Sequence, residues 1–151
     1  MNRRNFLTFA GSAIALSVIP MNLNAKDYRE LKKDIWTAHN MDDATKALYG
    51  AKTPIETDKI KISVPKINSS GAAVPVKFET SIDAKTVALF QDANPESAVA
   101  VFDVNKYDMK KYEVKIKMEK DGIVMVLVEG TDGKIYMAKA ATQVAAGGCE
   151  G

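Results

Sequence analysis

The chain holds one cysteine among its 151 residues, so no disulfide can form within it. Its one histidine, His39, stands 110 residues from Cys149, and a lone His and Cys at that spacing make no metal-ligand cluster. Neither charge sign dominates, with 21 basic against 19 acidic residues. No basic stripe with interleaved aromatics is present, which excludes a nucleic-acid groove of the usual kind. There is no internal repeat and no low-complexity tract. Aromatics are sparse, and the one tryptophan, Trp36, falls in a helical stretch, so the Cys–Trp–Cys pattern of antibody domains is absent.

What is present begins with Arg3-Arg4-Asn5-Phe6-Leu7, followed by an apolar run to Met21 broken by Gly11, Ser12, Ser17 and Pro20. A charged start, a short apolar stretch and Asn24-Ala25 before Lys26 describe an export signal of the twin-arginine type, centred on Arg3 and Arg4. The run is too short and too interrupted for a comfortable membrane span. Cleavage is expected after Ala25, which removes two arginines and no acid and leaves 19 basic and 19 acidic residues. The expected location is the periplasm, with no membrane contact once the signal is removed.

Residues 26–50 read as a helical segment. Tyr28, Leu31 and Ile35 fall on one face of a helix that Asp27 can cap. After a break near His39, Asn40 is placed to cap a second short helix, with Asp43 three residues on and Met41, Ala44, Ala47 and Leu48 on its apolar side. Gly50 is placed to end it. His39 reads as a junction residue, and Asp42-Asp43 as compensation of the helix dipole rather than a cation site.

Residues 51–144 read as the sandwich domain, and from residue 58 the period drops to two. Alternation marks Ile60–Val64, Val74–Phe78 and Tyr112–Met118, and nearly continuous apolar runs mark Val87–Phe90 and Val99–Val104. Ile123–Val128 and Ile135–Val144 complete about seven short strands. Pro75 calls for a sheet edge or a strand start. Asp121-Gly122 and Asp132-Gly133 read as tight hairpins. The expected fold is therefore mainly β, an immunoglobulin-like antiparallel β-sandwich preceded by short helices.

The tail Gly147-Gly148-Cys149-Glu150-Gly151 supplies the chemistry. Glycines on both sides remove side chains that would order the backbone, so residues 145–151 read as a flexible arm. Five residues separate Val144 from Cys149, a reach of roughly 17 Å if fully extended. Glu150 and the carboxylate of Gly151 disfavour the thiolate, so Cys149 is not a self-activated nucleophile. Prenylation would need cysteine fourth from the end, and a lipoprotein cysteine would stand at the signal cleavage site. Two readings remain. Cys149 is a covalent attachment point served by partner enzymes, or the chain is an exported interaction module whose lone cysteine forms an intermolecular disulfide.

This tail, behind a β-sandwich and a twin-arginine signal, resembles that of the SoxY family, which typically ends in Gly-Gly-Cys-Gly-Gly. Ala47-Leu48-Tyr49-Gly50, Gly71 to Val76, Asn94-Pro95 with Ala98 to Phe102, and Asp132-Gly133 also fit that family. Glu150 departs from it. The resemblance implies a carrier of thiosulfate-derived sulfur on Cys149 with no cofactor or catalytic residue of its own. It also implies a heterodimer with a SoxZ-like β-sandwich subunit. A c-type cytochrome would load the thiol, a hydrolase would release sulfate, and in some systems a sulfane dehydrogenase would follow.

Overall fold

A computed structural model describes residues 26–145. The export signal with Arg3 and Arg4 lies outside the described residues, as does the arm with Gly147, Gly148, Cys149, Glu150 and Gly151.

Helix α1 spans Tyr28–Leu31, and the Asp27 side chain accepts its Arg29 N–H. A 3₁₀ turn follows at Lys33–Ile35. The expected single helical face through Tyr28, Leu31 and Ile35 does not form. Lys32, at φ −139 and ψ 60, breaks the helix, so Ile35 is fully buried while Leu31 stays 64% exposed. The Trp36 indole N–H donates to the Tyr28 carbonyl, which also accepts the Lys32 N–H. Helix α2, Met41–Tyr49, starts at Asn40, whose side chain accepts the Asp43 N–H at 2.8 Å. It ends at Gly50, whose φ of 73 lies in the left-handed region that only glycine adopts at no steric cost.

Nine strands follow: β1 (Ile55–Glu56), β2 (Ile60–Ser63), β3 (Ile67–Asn68), β4 (Val74–Thr80), β5 (Ala84–Gln91), β6 (Ala98–Asp103), β7 (Lys111–Ile116), β8 (Gly122–Gly130) and β9 (Ile135–Val144). The larger sheet has the order β1-β9-β8-β5-β6, with β3 also pairing β9. The smaller has the order β2-β4-β7. Pairing is antiparallel throughout except where β1 and β3 lie parallel to β9.

Side-chain alternation builds two cores on the one large sheet. Val87, Leu89, Val124, Val126 and Val128 face the smaller sheet and meet Val74, Val76, Phe78 and Ile116. Their neighbours Ala88, Phe90, Met125 and Leu127 face the other way and meet Ile35, Ala44, Leu48 and Tyr49 of the helical segment. Strands β5 and β8 are thus buried on both faces, which is why they read as continuous apolar runs rather than alternation. Fully burying a side chain of this size is worth about 1.5–3 kcal/mol, so the helical layer is integral to the fold rather than an appendage.

Two local expectations are corrected or refined. Asp132-Gly133 does close the β8–β9 hairpin, with Gly133 at φ 79. Asp121-Gly122 does not close a hairpin, because β7 belongs to the smaller sheet and β8 to the larger. The intervening residues cross between sheets and bury Met118 in the core on the way. Pro75 sits second in β4, a central strand, but β2 pairs only Lys77–Thr80, so Pro75 has β7 alone beside it.

Candidate functional site: the root of the carrier arm

The last described residues lead directly to Cys149, so their geometry defines what the thiol is tethered to. Strand β8 stops pairing at Gly122, opposite Thr142. Past that point β9 would be a bare strand end, yet each of its last amides is satisfied. Gln143 N–H donates to the Lys66 carbonyl at 2.9 Å, and Ala145 N–H to the Asn68 carbonyl at 2.8 Å. Between them Val144 N–H, pointing to the opposite side, donates to the Asp121 carboxylate at 2.7 Å. Asn68 of β3 and Lys66 just before that strand supply the first two bonds, and Asp121 continues the ladder where β8 has ended.

The side chains beneath are polar and buried. Asn68 is 7% exposed and Thr142 is 2% exposed. The Asn68 amide donates to the Thr142 hydroxyl at 2.7 Å, and that hydroxyl donates to the Pro65 carbonyl at 2.6 Å. Gly71 closes the floor. A Cβ there would run into the Met118 carbonyl and lie 3.0 Å from the Val144 side chain, so the close approach of these segments requires glycine. The Met118 N–H donates back to the Gly71 carbonyl at 2.8 Å.

The same pole carries the Gln91–Ser97 loop. The buried Gln91 side chain accepts the Ala93 and Asn94 N–H groups and donates to the Glu96 carbonyl. Asn94 then ties this loop to Lys117 and Glu119. Exposed His39 donates through Nδ1 to the Pro95 carbonyl at 3.0 Å, which gives the junction residue a structural partner. Asp42 and Asp43 lie in the first turn of α2, as dipole compensation requires. Among the described residues no group of three or more His, Cys, Asp or Glu side chains is placed to hold a metal.

Grooves on the surface lie away from this pole. One crosses the smaller sheet between Lys61, Phe78 and Tyr112, and another lies beside α2 between Lys46, Pro54 and Met137. The described part of the site is a platform from which the chain continues to Cys149. Sequence reasoning picks out the tail but not Asn68 or Thr142, whose buried bond gives no local signal. Asp121 reads there only as a hairpin residue, and Gly71 only as part of the family resemblance.

The SoxY sulfur oxidation family matches residues 45–149 of this chain. Among solved structures, the sulfur carrier protein SoxY from Chlorobium limicola f thiosulfatophilum is 34% identical. That match covers 72% of this chain and 95% of that one, with a TM-score of 0.65. A superoxide reductase (neelaredoxin) from Ignicoccus hospitalis is 14% identical over 59% of this chain and 82% of that one, with a TM-score of 0.52, a likeness of fold alone. No curated protein matches the sequence.

Proposed function

The chain belongs to the SoxY family of sulfur oxidation proteins, whose part is to carry sulfur, and on that premise we propose that this protein holds thiosulfate-derived sulfur covalently on Cys149. The observation that carries this reading is where the family match stops: it runs from residue 45 to 149 and so ends on the chain's one cysteine.

The chemistry divides between the carrier and its enzymes. A c-type cytochrome removes two electrons as the Cys149 thiolate and thiosulfate join through a new S–S bond, giving a cysteine S-thiosulfonate, and the thiol proton goes to solvent. A hydrolase then adds water across the terminal S–S bond. Sulfate leaves, and a persulfide stays on Cys149 for further oxidation by a sulfane dehydrogenase where one is present. The negative charge of Glu150 beside the thiol opposes ionisation, so activation falls to the partners and the idle carrier resists adventitious oxidation. Catalysis is theirs, and the sandwich delivers. The protein acts in the periplasm after twin-arginine export through Arg3 and Arg4, paired with a SoxZ-like subunit.

Intact-mass measurement tests this. Protein turned over with thiosulfate and the partner cytochrome gains the mass of the thiosulfate adduct, and Cys149→Ser gains none. An adduct of equal yield on the serine variant overturns the assignment, as does a wild type that stays unmodified under oxidising turnover.

A further inference from the structure

Strand β3 is two residues long, and a pair that short has no stability of its own. Hydrophobic burial does not hold it in place either, since Ile67 is 68% exposed. Hydrogen bonding does. The Asn68 side chain reaches across to Thr142, Thr142 reaches on to Pro65, and so residues 65 and 68, on either side of Ile67, are stapled to the same buried hydroxyl. With β3 held, the Lys66 and Asn68 carbonyls receive the Gln143 and Ala145 amides. We propose that Asn68 is a positioning residue for sulfur delivery: through Thr142 it fixes the root of the arm at Ala145 and so sets the volume Cys149 can search.

The inference rests on the reading of Cys149 as the attachment point. Four residues separate Ala145 from Cys149, a span of at most about 14 Å. Without the staple the short β3 pairing has only its two backbone bonds to β9, and once those open the Asp121 bond to Val144 alone supports β9 beyond the last β8 pair at Thr142. Peeling back to Thr142, the last residue paired with β8, lengthens the tether from four residues to seven. Effective concentration falls roughly as the −3/2 power of tether length, so delivery of the thiol into a fixed channel weakens about twofold. A longer arm is a worse arm, because the extra reach is diluted over a larger volume. Asn68→Ala removes the amide that the Thr142 hydroxyl accepts and leaves that hydroxyl bonded to Pro65 alone, which shifts the local opening equilibrium by about tenfold.

Two measurements on the full chain test this. Amide hydrogen exchange of Asn68→Ala is expected to speed by about tenfold at Gln143 and Ala145, with Val126 and Leu127 in the centre of β8 unchanged. In cytochrome-dependent loading, kcat/KM is expected to fall about twofold, while alkylation of Cys149 by iodoacetamide keeps its wild-type rate. Thr142→Val, which keeps the volume and removes the hydroxyl, is expected to behave alike and serves if the first variant folds poorly. Unchanged exchange at Gln143 and Ala145 overturns the staple. Faster exchange with unchanged loading overturns the positioning role. A wild type that does not load at all instead overturns the carrier reading, and with it delivery as the purpose of the staple, while the exchange rates still decide whether the staple exists.

Discussion

Single residues decide how tightly the arm's root is built. Gly71 allows the turn after β3 to pass against Met118 and under Val144, where no other residue fits without displacing backbone. Gly71→Ala is therefore expected to destabilise the fold by about 1–3 kcal/mol, the usual cost of forcing volume into a packed site. Urea unfolding followed by circular dichroism reads this as a lower midpoint at unchanged slope. A midpoint equal to wild type would mean that Met118 yields freely and that the close approach carries no constraint. At this scale the sequence was legible for the thiol and opaque for its support. Cys149 stands out because it is alone, and because the glycines beside it have a meaning that does not depend on the fold. Asn68 and Thr142 lie 74 residues apart, and their bond exists only once β3 has been laid beside β9. No local pattern encodes such a contact.

At the level of elements, period and caps predicted well and partnership did not. Alternation located β2, β4 and β7, because a half-buried surface forces period two on the sequence, and apolar runs located β5 and β6. Strands β1 and β3, with two residues each, are too short to show any period. Asp121-Gly122 has the composition of a hairpin turn, but a turn signal says only that the chain bends, not which sheet receives it. The leading helix failed for a related reason. Its apolar spacing continued past Lys32, whereas the backbone turned there to bury Ile35 against the sheet. The cap of α2 was fully legible, because the Asn40 side chain and the Asp43 amide are sequence neighbours. Asn40 both accepts from the Asp43 N–H and donates to the Asp43 carboxylate at 2.7 Å. Asn40→Ala is expected to cost about 1 kcal/mol. The loss should appear in thermal unfolding as a Tm several degrees lower, while Asn40→Asp, which keeps the acceptor, should lose less.

The whole molecule is three layers with two distinct poles. Helices cover one face of the larger sheet and the smaller sheet covers the other. Strand β9 runs from Ile135, opposite Glu129, to Val144 at the arm's root, roughly 33 Å for ten residues. The first described residues lie at the far pole from that root. Lys26 pairs with Asp103 at 3.1 Å, and the Tyr28 hydroxyl donates to the same carboxylate. Thr86, opposite Asp103 in the sheet, meets the Tyr49 hydroxyl at 3.0 Å. Two phenols thus pin the helical layer at the pole remote from Ala145, and burial acts on both. It pushes Tyr28 up to about 12, helped by the Asp103 charge, and holds Tyr49 higher still. A phenol whose folded pKa exceeds its unfolded value of about 10 keeps its proton longer in the folded state. Stability from these groups is complete below pH 10 and declines as the pH climbs toward the folded values, because the unfolded chain is then the one that has released protons. For the deeply buried Tyr49 the limiting slope is about 1.4 kcal/mol per pH unit. Lysines titrate in the same range, so the comparison to make is between wild type and Tyr49→Phe. Urea midpoints at pH 9, 10 and 11 should fall more steeply for wild type, because the phenylalanine variant begins less stable but has no phenol left to titrate. Parallel slopes would show that Tyr49 ionises without leaving its place, and that the helical layer is held by Ile35, Leu48 and Phe90 alone. A steeper wild-type slope would show that the helical layer packs on the sheet only with the Tyr49 phenol protonated, since ionisation would then have to leave the buried site beside Thr86.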